Sequence, residues 1–165
     1  MGLKTVLLNL TCVITICFFA NIGFSQSNGY KDVEYKTIAE GIDSPIEDLQ
    51  IVCFNKFFNK DYLPSDFREK YNLNDKSLYK KQMLVEIFRT NTANNGFDKI
   101  YLKGIKEGQD KILIEYNFIN SDNTNDDKRL SPFLIVQIPK SKKEIKFVVD
   151  GVNNNSESEI YIDNQ

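Results

Sequence analysis

The strongest constraint on this fold is the regular alternation of apolar and polar side chains in the second half of the chain. Segment 111–118 places Ile112, Ile114, Tyr116 and Phe118 at every second position, with polar residues between most of them. Successive side chains of a β-strand point to opposite faces of the sheet. This period of two therefore predicts a strand that buries one face.

Similar patterns, or short apolar runs bounded by turn residues, predict further strands along the chain. These strands cover residues 33–38, 48–54, 83–88, 97–105, 133–138 and 145–149, and a short strand at 160–162 also fits the sequence. The segment 133–138 is almost entirely apolar, which is typical of a strand buried on both faces. Asn95-Gly96 separates two of the strands and predicts a hairpin turn, because both residues tolerate positive φ.

Residues 55–75 interrupt this β pattern. They mix aromatic with charged residues, and Ser65–Tyr71 has helical character without a proper capping box. The sequence therefore predicts a mainly β (α+β) fold. We expect an antiparallel sheet or sandwich of six to seven strands, with one or two short helices inserted near residues 55–75.

The N-terminal residues 1–25 have the features of a secretory signal peptide. Lys4 supplies a positive charge, Val6–Ala20 is mostly apolar, and small residues precede Gln26. The apolar stretch is about 15 residues long, short of the ~20 that span a bilayer comfortably. We predict cleavage between Ser25 and Gln26 and export to the periplasm or the medium. The alternatives are an uncleaved anchor and lipidation at Cys17.

Removal of the leader takes away Lys4 and no acidic residue, so the formal net charge changes from −2 to −3. About 140 residues remain, which suits one domain with a single core. We expect a polar spacer at 26–32, one β-rich domain at 33–150 and a polar tail at 151–165. A mildly acidic chain does not favour nucleic acid as a partner, and no stable membrane span is expected after cleavage.

The mature chain keeps one cysteine, Cys53, and the whole sequence has no histidine. A single cysteine cannot form an internal disulfide, and Cys53 in the apolar run 49–54 is predicted to be a small core hydrophobe. Without histidine, Ser-His-Asp and Cys-His catalysis in their usual forms are excluded, and the commonest zinc ligand is missing. We expect no enzyme activity, no cofactor and no metal site. Hydrolysis by two carboxylates alone stays open as a third hypothesis.

The order of elements over residues 37–149 resembles the PrcB C-terminal domain family, named after a subunit of a spirochaete surface protease complex. Segment 131–140 carries the most specific likeness, with its Ser-Pro-aromatic start and its Ile-Pro-Lys end. Segment 94–97 stands where the family has a Gly-Gly-Tyr-like turn, although Asn95 replaces the first glycine and Phe97 the tyrosine. The resemblance implies an exported domain that supports or associates with other proteins.

Two loops are candidate protein-contact sites. They comprise Asn94, Asn95, Gly96 and Phe97 in the first loop, and Ser131, Pro132 and Phe133 in the second. Each also has a purely structural interpretation, as a hairpin turn and as a strand entry with Phe133 in the core. The polar segment 122–127 lacks the EF-hand pattern and is predicted to be a solvated loop.

The leading hypothesis is an exported, non-enzymatic protein-binding or accessory module, with another exported protein, such as a protease or its complex, as partner. The second hypothesis comes from a looser likeness to chagasin-type cysteine-protease inhibitors. In that case the chain would present the 94–97 and 130–133 loops to a protease. The third hypothesis is the carboxylate-dependent hydrolase.

Overall fold

The computed structural model describes residues 29–89, 97–120 and 130–149, together with the backbone of 152–153 and 158–160. The predicted leader with its cleavage site, residues 94–96 and the 122–127 loop lie outside the described residues. The strands are β1 (Lys31–Asp32), β2 (Lys36–Gly41), β3 (Leu49–Cys53), β4 (Gln82–Phe88), β5 (Lys99–Glu107), β6 (Lys111–Ile119), β7 (Phe133–Pro139), β8 (Glu144–Val149), β9 (Val152–Asn153) and β10 (Ser158–Ile160). Between β3 and β4 lie helices α1 (Phe57–Tyr62) and α2 (Ser65–Lys70) and a 3-10 helix, Lys76–Tyr79.

These strands form two sheets that pack as a sandwich. The first sheet has the order β1-β5-β6-β8-β9, and the second has the order β10-β3-β4-β7-β2. Most neighbouring strands are antiparallel, while β6 with β8 and β10 with β3 are parallel. The prediction of a mainly β fold with two short helices inserted near residues 55–75 is confirmed.

The second sheet is the middle layer of the molecule, because the first sheet covers one of its faces and the helices cover the other. On β4, Val85 and Ile87 belong to the core between the sheets, whereas Leu84 and Phe88 belong to the core under the helices. Burying an aliphatic or aromatic side chain stabilises a fold by about 1.5–3 kcal/mol. Two such cores therefore hold the domain together without a disulfide among the described residues.

Strand β7 has the same two-sided burial. Leu134 and Val136 pack between the sheets, and Phe133 and Ile135 pack under the helices. The prediction that 133–138 is buried on both faces is confirmed. The sequence of β7 is almost entirely apolar because neither face of this strand is exposed to water.

The predicted hairpin between 83–88 and 97–105 is wrong. Strand β4 pairs with β3 and β7, while β5 pairs with β6 in the other sheet. The connection from β4 to β5 therefore crosses between the sheets. An Asn-Gly pair specifies a sharp change of direction, but it does not specify which sheet the next strand joins.

The predicted strand at 33–38 is displaced along the chain. Strand β2 begins at Lys36, and the Val33 N–H donates instead to the Ile105 carbonyl of the other sheet at 2.8 Å. Val33 still packs against the core between the sheets. The apolar–polar alternation at 33–38 therefore reflects burial, at a point where the chain passes from one sheet to the other. Strand β1 lies in the predicted spacer, and β9 and β10 lie in the predicted tail, so strands extend beyond 33–150.

Among the described residues, no helix has the length and apolar character needed to cross a bilayer.

Candidate functional site

An open groove of about 600 Å³ lies at the end of the second sheet where β3 and β7 finish. Residues 54–57 leave β3 and form one side, the 3-10 helix with Lys80 forms another, and Lys140 follows β7. The groove contains three aromatic and four lysine side chains, with Asn55 and Ser77 as its other polar residues. We call it the lysine groove; its lining is Phe54, Asn55, Lys56, Phe57, Lys76, Ser77, Tyr79, Lys80 and Lys140.

Phe57 is the most exposed part of the aromatic lining. Its side chain is 55% exposed although it is a phenylalanine. The Phe57 N–H donates to Asn55 Oδ1 at 2.8 Å, and this local turn fixes the start of α1. The next residue, Phe58, is buried and stacks on Tyr62 with 4.2 Å between ring centroids. Buried Phe58 thus holds the backbone of Phe57 in place, and the ring of Phe57 faces the groove.

The four lysines give the groove a positive charge. They come from three separate segments, and none of them forms an ion pair with a described acidic residue. Among the described residues, no Asp or Glu belongs to the lining. The chain as a whole has 21 basic and 23 acidic residues, so the groove is a local concentration of positive charge. Such a concentration raises the local density of ligands of opposite charge.

The wall formed by the 3-10 helix is fixed from both sides. Gln137 of β7 donates from Nε2 to the Leu78 carbonyl at 2.9 Å. At the start of this helix the Asp75 carboxylate accepts hydrogen bonds from the Ser77 hydroxyl at 2.7 Å and the Ser77 N–H at 2.8 Å. These bonds lower the pKa of Asp75. The groove is therefore largely preformed, as binding sites usually are.

A buried polar cluster lies directly beneath the groove. Asn59 donates from Nδ2 to Glu86 Oε1 at 2.8 Å and to the Tyr79 hydroxyl at 3.1 Å. The Tyr79 hydroxyl in turn donates to the Leu73 carbonyl at 3.1 Å. The Cys53 thiol donates to Asn59 Oδ1 at 3.3 Å. Tyr79 belongs to both features, so the cluster ties the groove to the middle sheet.

Burial dominates the acid–base chemistry of this cluster. Glu86 is completely buried, and burial raises its pKa to about 7, although the hydrogen bond from Asn59 opposes the shift. Its second oxygen has no hydrogen-bond partner among the described residues, which also favours the neutral acid. Burial, together with the nearby charge of Glu86, raises the pKa of both Cys53 and Tyr79. The cluster is buried away from solvent, and its role is to support the groove from beneath.

We expect the Cys53 thiol to be unreactive in the folded protein. It is completely buried, and its raised pKa keeps it protonated, whereas thiol reagents attack the exposed thiolate. The measurement is reaction of the chain from Gln26 onward, which contains every described residue, with a chromogenic disulfide reagent. One thiol should react in guanidinium chloride and almost none in native buffer. Rapid labelling of the folded chain would contradict the burial of Cys53.

The second sequence-derived loop, 130–133, lies at the other end of the second sheet, where β7 begins. Residues 94–96 are outside the described part of the chain, and Phe97 is half-buried against Phe118, with ring centroids 5.9 Å apart. Ser131 is half-buried and bridges to Asp43, while Pro132 and Phe133 are buried. Phe133 thus occupies the core, as in the structural interpretation of that loop.

A residue that precedes the first loop in the chain contacts the second loop. Arg89, the last described residue before the gap at 90–96, donates its N–H to the Pro132 carbonyl at 2.9 Å. Strand β7 runs from Phe133 to Pro139, which is about 20 Å at ~3.3 Å per residue. This strand separates the 130–133 loop from Lys140, so that loop and the lysine groove are different surfaces.

Sequence reasoning missed the lysine groove. Of the lysines at 140–146, only Lys140 lines the groove. Lys143 is instead ion-paired with Glu107, at 3.0 Å between Nζ and Oε1. The remaining three lysines lie 60 or more positions away in the sequence, at 56, 76 and 80. Only the three-dimensional fold brings them together.

Comparison with protein-family models, with curated proteins and with solved structures finds no match for this chain. The resemblance to the PrcB C-terminal domain family therefore rests on the sequence motifs alone. Among the described residues, no group of three or more acidic or cysteine side chains is placed to hold a metal ion. The chemistry of the groove itself is the basis for a functional interpretation.

Proposed function

We propose that this protein is an exported, non-enzymatic module that binds another protein, with the lysine groove as its contact surface. The observation that carries the proposal is the exposed Phe57 ring in a fixed groove of about 600 Å³. Binding sites typically occupy about 300–1,000 Å³. Aromatic residues are enriched in protein interfaces and supply much of their binding energy.

The chemistry of the groove supports a binding role over a catalytic one. Two-carboxylate hydrolysis needs paired acids across a cleft, and the groove is lined by lysines and aromatic rings. The hydroxyl of Ser77 is hydrogen-bonded to the Asp75 carboxylate within the turn, and that of Tyr79 donates to the Leu73 carbonyl. Glu86, the titrating acid nearby, is sealed beneath the surface.

Export and the class of partner follow from the sequence. The pattern of residues 1–25 supports secretion with cleavage between Ser25 and Gln26. The resemblance of residues 37–149 to the PrcB C-terminal domain family makes an exported protease, or a complex that contains one, the candidate partner.

A capture experiment tests this function. The chain from Gln26 onward, immobilised and exposed to the periplasmic and extracellular proteins of its own source, should retain a partner. Phe57→Ala should reduce that capture about tenfold or more, because truncating an interface aromatic removes ~1.4 kcal/mol or more of binding. Phe57 is exposed, so the substitution should leave stability within ~0.5 kcal/mol.

Tyr101→Ala is the matched control, because Tyr101 is 52% exposed on β5 and does not line the groove. It should capture the partner as well as the unaltered chain does. Equal capture by the Phe57 and Tyr101 variants would place the contact elsewhere. Recovery of no partner at all would count against a binding module.

Protease inhibition is the second candidate function, and the contact between Arg89 and Pro132 favours it. That contact places Arg89, which precedes the 94–97 loop in the chain, beside the 130–133 loop, and an inhibitor with two inserted loops requires neighbouring loops. Papain-type proteases incubated with an excess of the protein should then lose activity, and Phe57→Ala should inhibit equally well. Full protease activity in the presence of the protein would remove this candidate.

A further inference from the structure

We infer that the lysine groove recognises a short acidic segment of polypeptide that carries a large apolar side chain. This inference rests on the proposed function and specifies the partner by its chemistry. Two properties of the groove support it separately, namely four lysines that have no ion-pair partner among the described residues and the exposed ring of Phe57.

The charge of the groove is the first property. Elsewhere on the molecule lysines pair with acids, as in Lys106 with Glu115 at 2.7 Å and Lys70 with Asp43 at 3.2 Å. The four groove lysines have no such partner among the described acids. An acidic ligand would supply the missing carboxylates. Complementary charge mainly speeds encounter and excludes partners of the wrong sign.

The apolar lining is the second property. A purely ionic ligand would leave the ring of Phe57 in water, as it is now at 55% exposure. A large apolar side chain of the ligand can cover this ring, beside Phe54 and Tyr79 of the lining. Lysine side chains suit this arrangement, because their methylene stems pack on apolar groups while the ammonium stays at the rim. The fitting ligand is therefore both acidic and apolar.

A polypeptide fits better than a nucleic acid. Binding to a phosphate backbone depends on an extended basic surface that releases counterions, whereas this chain has a net charge of −2. The four groove lysines surround one groove of about 600 Å³, a volume that suits a few side chains of a ligand. A single-stranded oligonucleotide can also stack on aromatic rings, so it is included in the test as the competing ligand.

The test uses fluorescence anisotropy with the chain from Gln26 to Gln165 and labelled peptides. The probe is Glu-Asp-Phe-Asp-Glu, capped at both ends, compared with Lys-Lys-Phe-Lys-Lys and Glu-Asp-Gly-Asp-Glu. The acidic phenylalanine peptide should bind at least tenfold more tightly than either of the others, because only it satisfies both properties. Its affinity should fall as salt is raised above ~0.15 M, where charges farther than ~8 Å apart are already screened.

Two double variants with the same change in charge locate the binding. Lys76→Glu with Lys80→Glu reverses two groove charges and should weaken the probe tenfold or more. Lys31→Glu with Lys36→Glu alters exposed lysines of β1 and β2, outside the groove, and should change affinity less than twofold. Equal losses in both double variants would overturn the inference, because the effect would then be one of net charge.

The remaining outcomes separate this inference from the proposed function. Binding of the basic peptide as tight as the acidic one, or tighter binding of oligothymidylate, would overturn the inference. A captured partner that depends on Phe57 but not on Lys76 and Lys80, with no binding of the acidic peptide, would leave the proposed function standing and this inference refuted. If neither partner capture nor peptide binding changes in the groove variants, the proposed function and this inference are both refuted.

Discussion

Replacing Glu86 by glutamine is expected to stabilise the folded protein by roughly 3 kcal/mol at pH 8 and by ~1 kcal/mol or less at pH 5. Burial raises the pKa of Glu86 from 4.5 to about 7. Between these values the folded state binds more protons than the unfolded state, so stability falls as pH rises. In the unaltered chain, the contribution of protonated Glu86 to stability is fully present below about pH 4.5 and is lost as pH rises through 7. Each unit of pKa difference corresponds to ~1.36 kcal/mol.

Glutamine keeps the shape and the neutral state of the protonated acid, and its carbonyl can accept the hydrogen bond from Asn59. Urea denaturation of both chains from pH 5 to pH 8 measures the effect as the gap between the two stability curves. Glu47→Gln is the control, since Glu47 is an exposed carboxylate, and it should leave the pH dependence unchanged. Parallel curves for the unaltered chain and Glu86→Gln would show that Glu86 is not the titrating group.

Replacing Phe133 by alanine is expected to destabilise the protein by about 3–5 kcal/mol, the usual effect of truncating a buried phenylalanine. Phe133 is 1% exposed, and its ring centroid lies 5.1 Å from that of Phe67, 5.5 Å from Tyr71 and 6.2 Å from Phe88. Domains are typically stable by only 5–15 kcal/mol. The variant should therefore be marginally folded at ambient temperature.

Thermal unfolding followed by circular dichroism measures this effect, with Phe57→Ala as the control. Both variants remove the same ring, but Phe57 is 55% exposed, so its loss should stay within ~0.5 kcal/mol. Equal stability of the two variants would mean that Phe133 is not a core residue. In that case the contact-loop interpretation of 131–133 would gain support.

Strand positions were predictable because apolar patterning is a direct consequence of burial. Predicted strands at 133–138 and 145–149 match Phe133–Pro139 and Glu144–Val149 to within one residue. Sheet membership was not predictable in this way. Strands β4 and β5 have similar patterns and flank a turn sequence, yet they lie in different sheets, because pairing depends on contacts with distant parts of the chain.

Glu86 shows how a local pattern can mislead about a single residue. In the strand 83–88, Glu86 lies on the same face as Leu84 and Phe88. Two apolar residues on that face predict that it is buried. The carboxyl itself argues for solvent, since acids are almost never fully buried without a partner. The structure resolves the conflict with Asn59, which comes from α1 and donates to the carboxyl. No sequence rule links positions 27 residues apart.

The order of strands in the middle sheet also determines how the chain folds. Strand β2 has its described partner in β7, as in the pairing of Lys36 with Gln137, and β3 pairs with β10, as in Gln50 with Ser158. Each of these pairs is separated by about 100 residues, so the contact order is high, and such β proteins typically fold in milliseconds to seconds. A chain synthesised from its N-terminus holds β2 and β3 unpaired with these partners until almost all of it has emerged. Folding of the complete middle sheet is therefore delayed until late in synthesis.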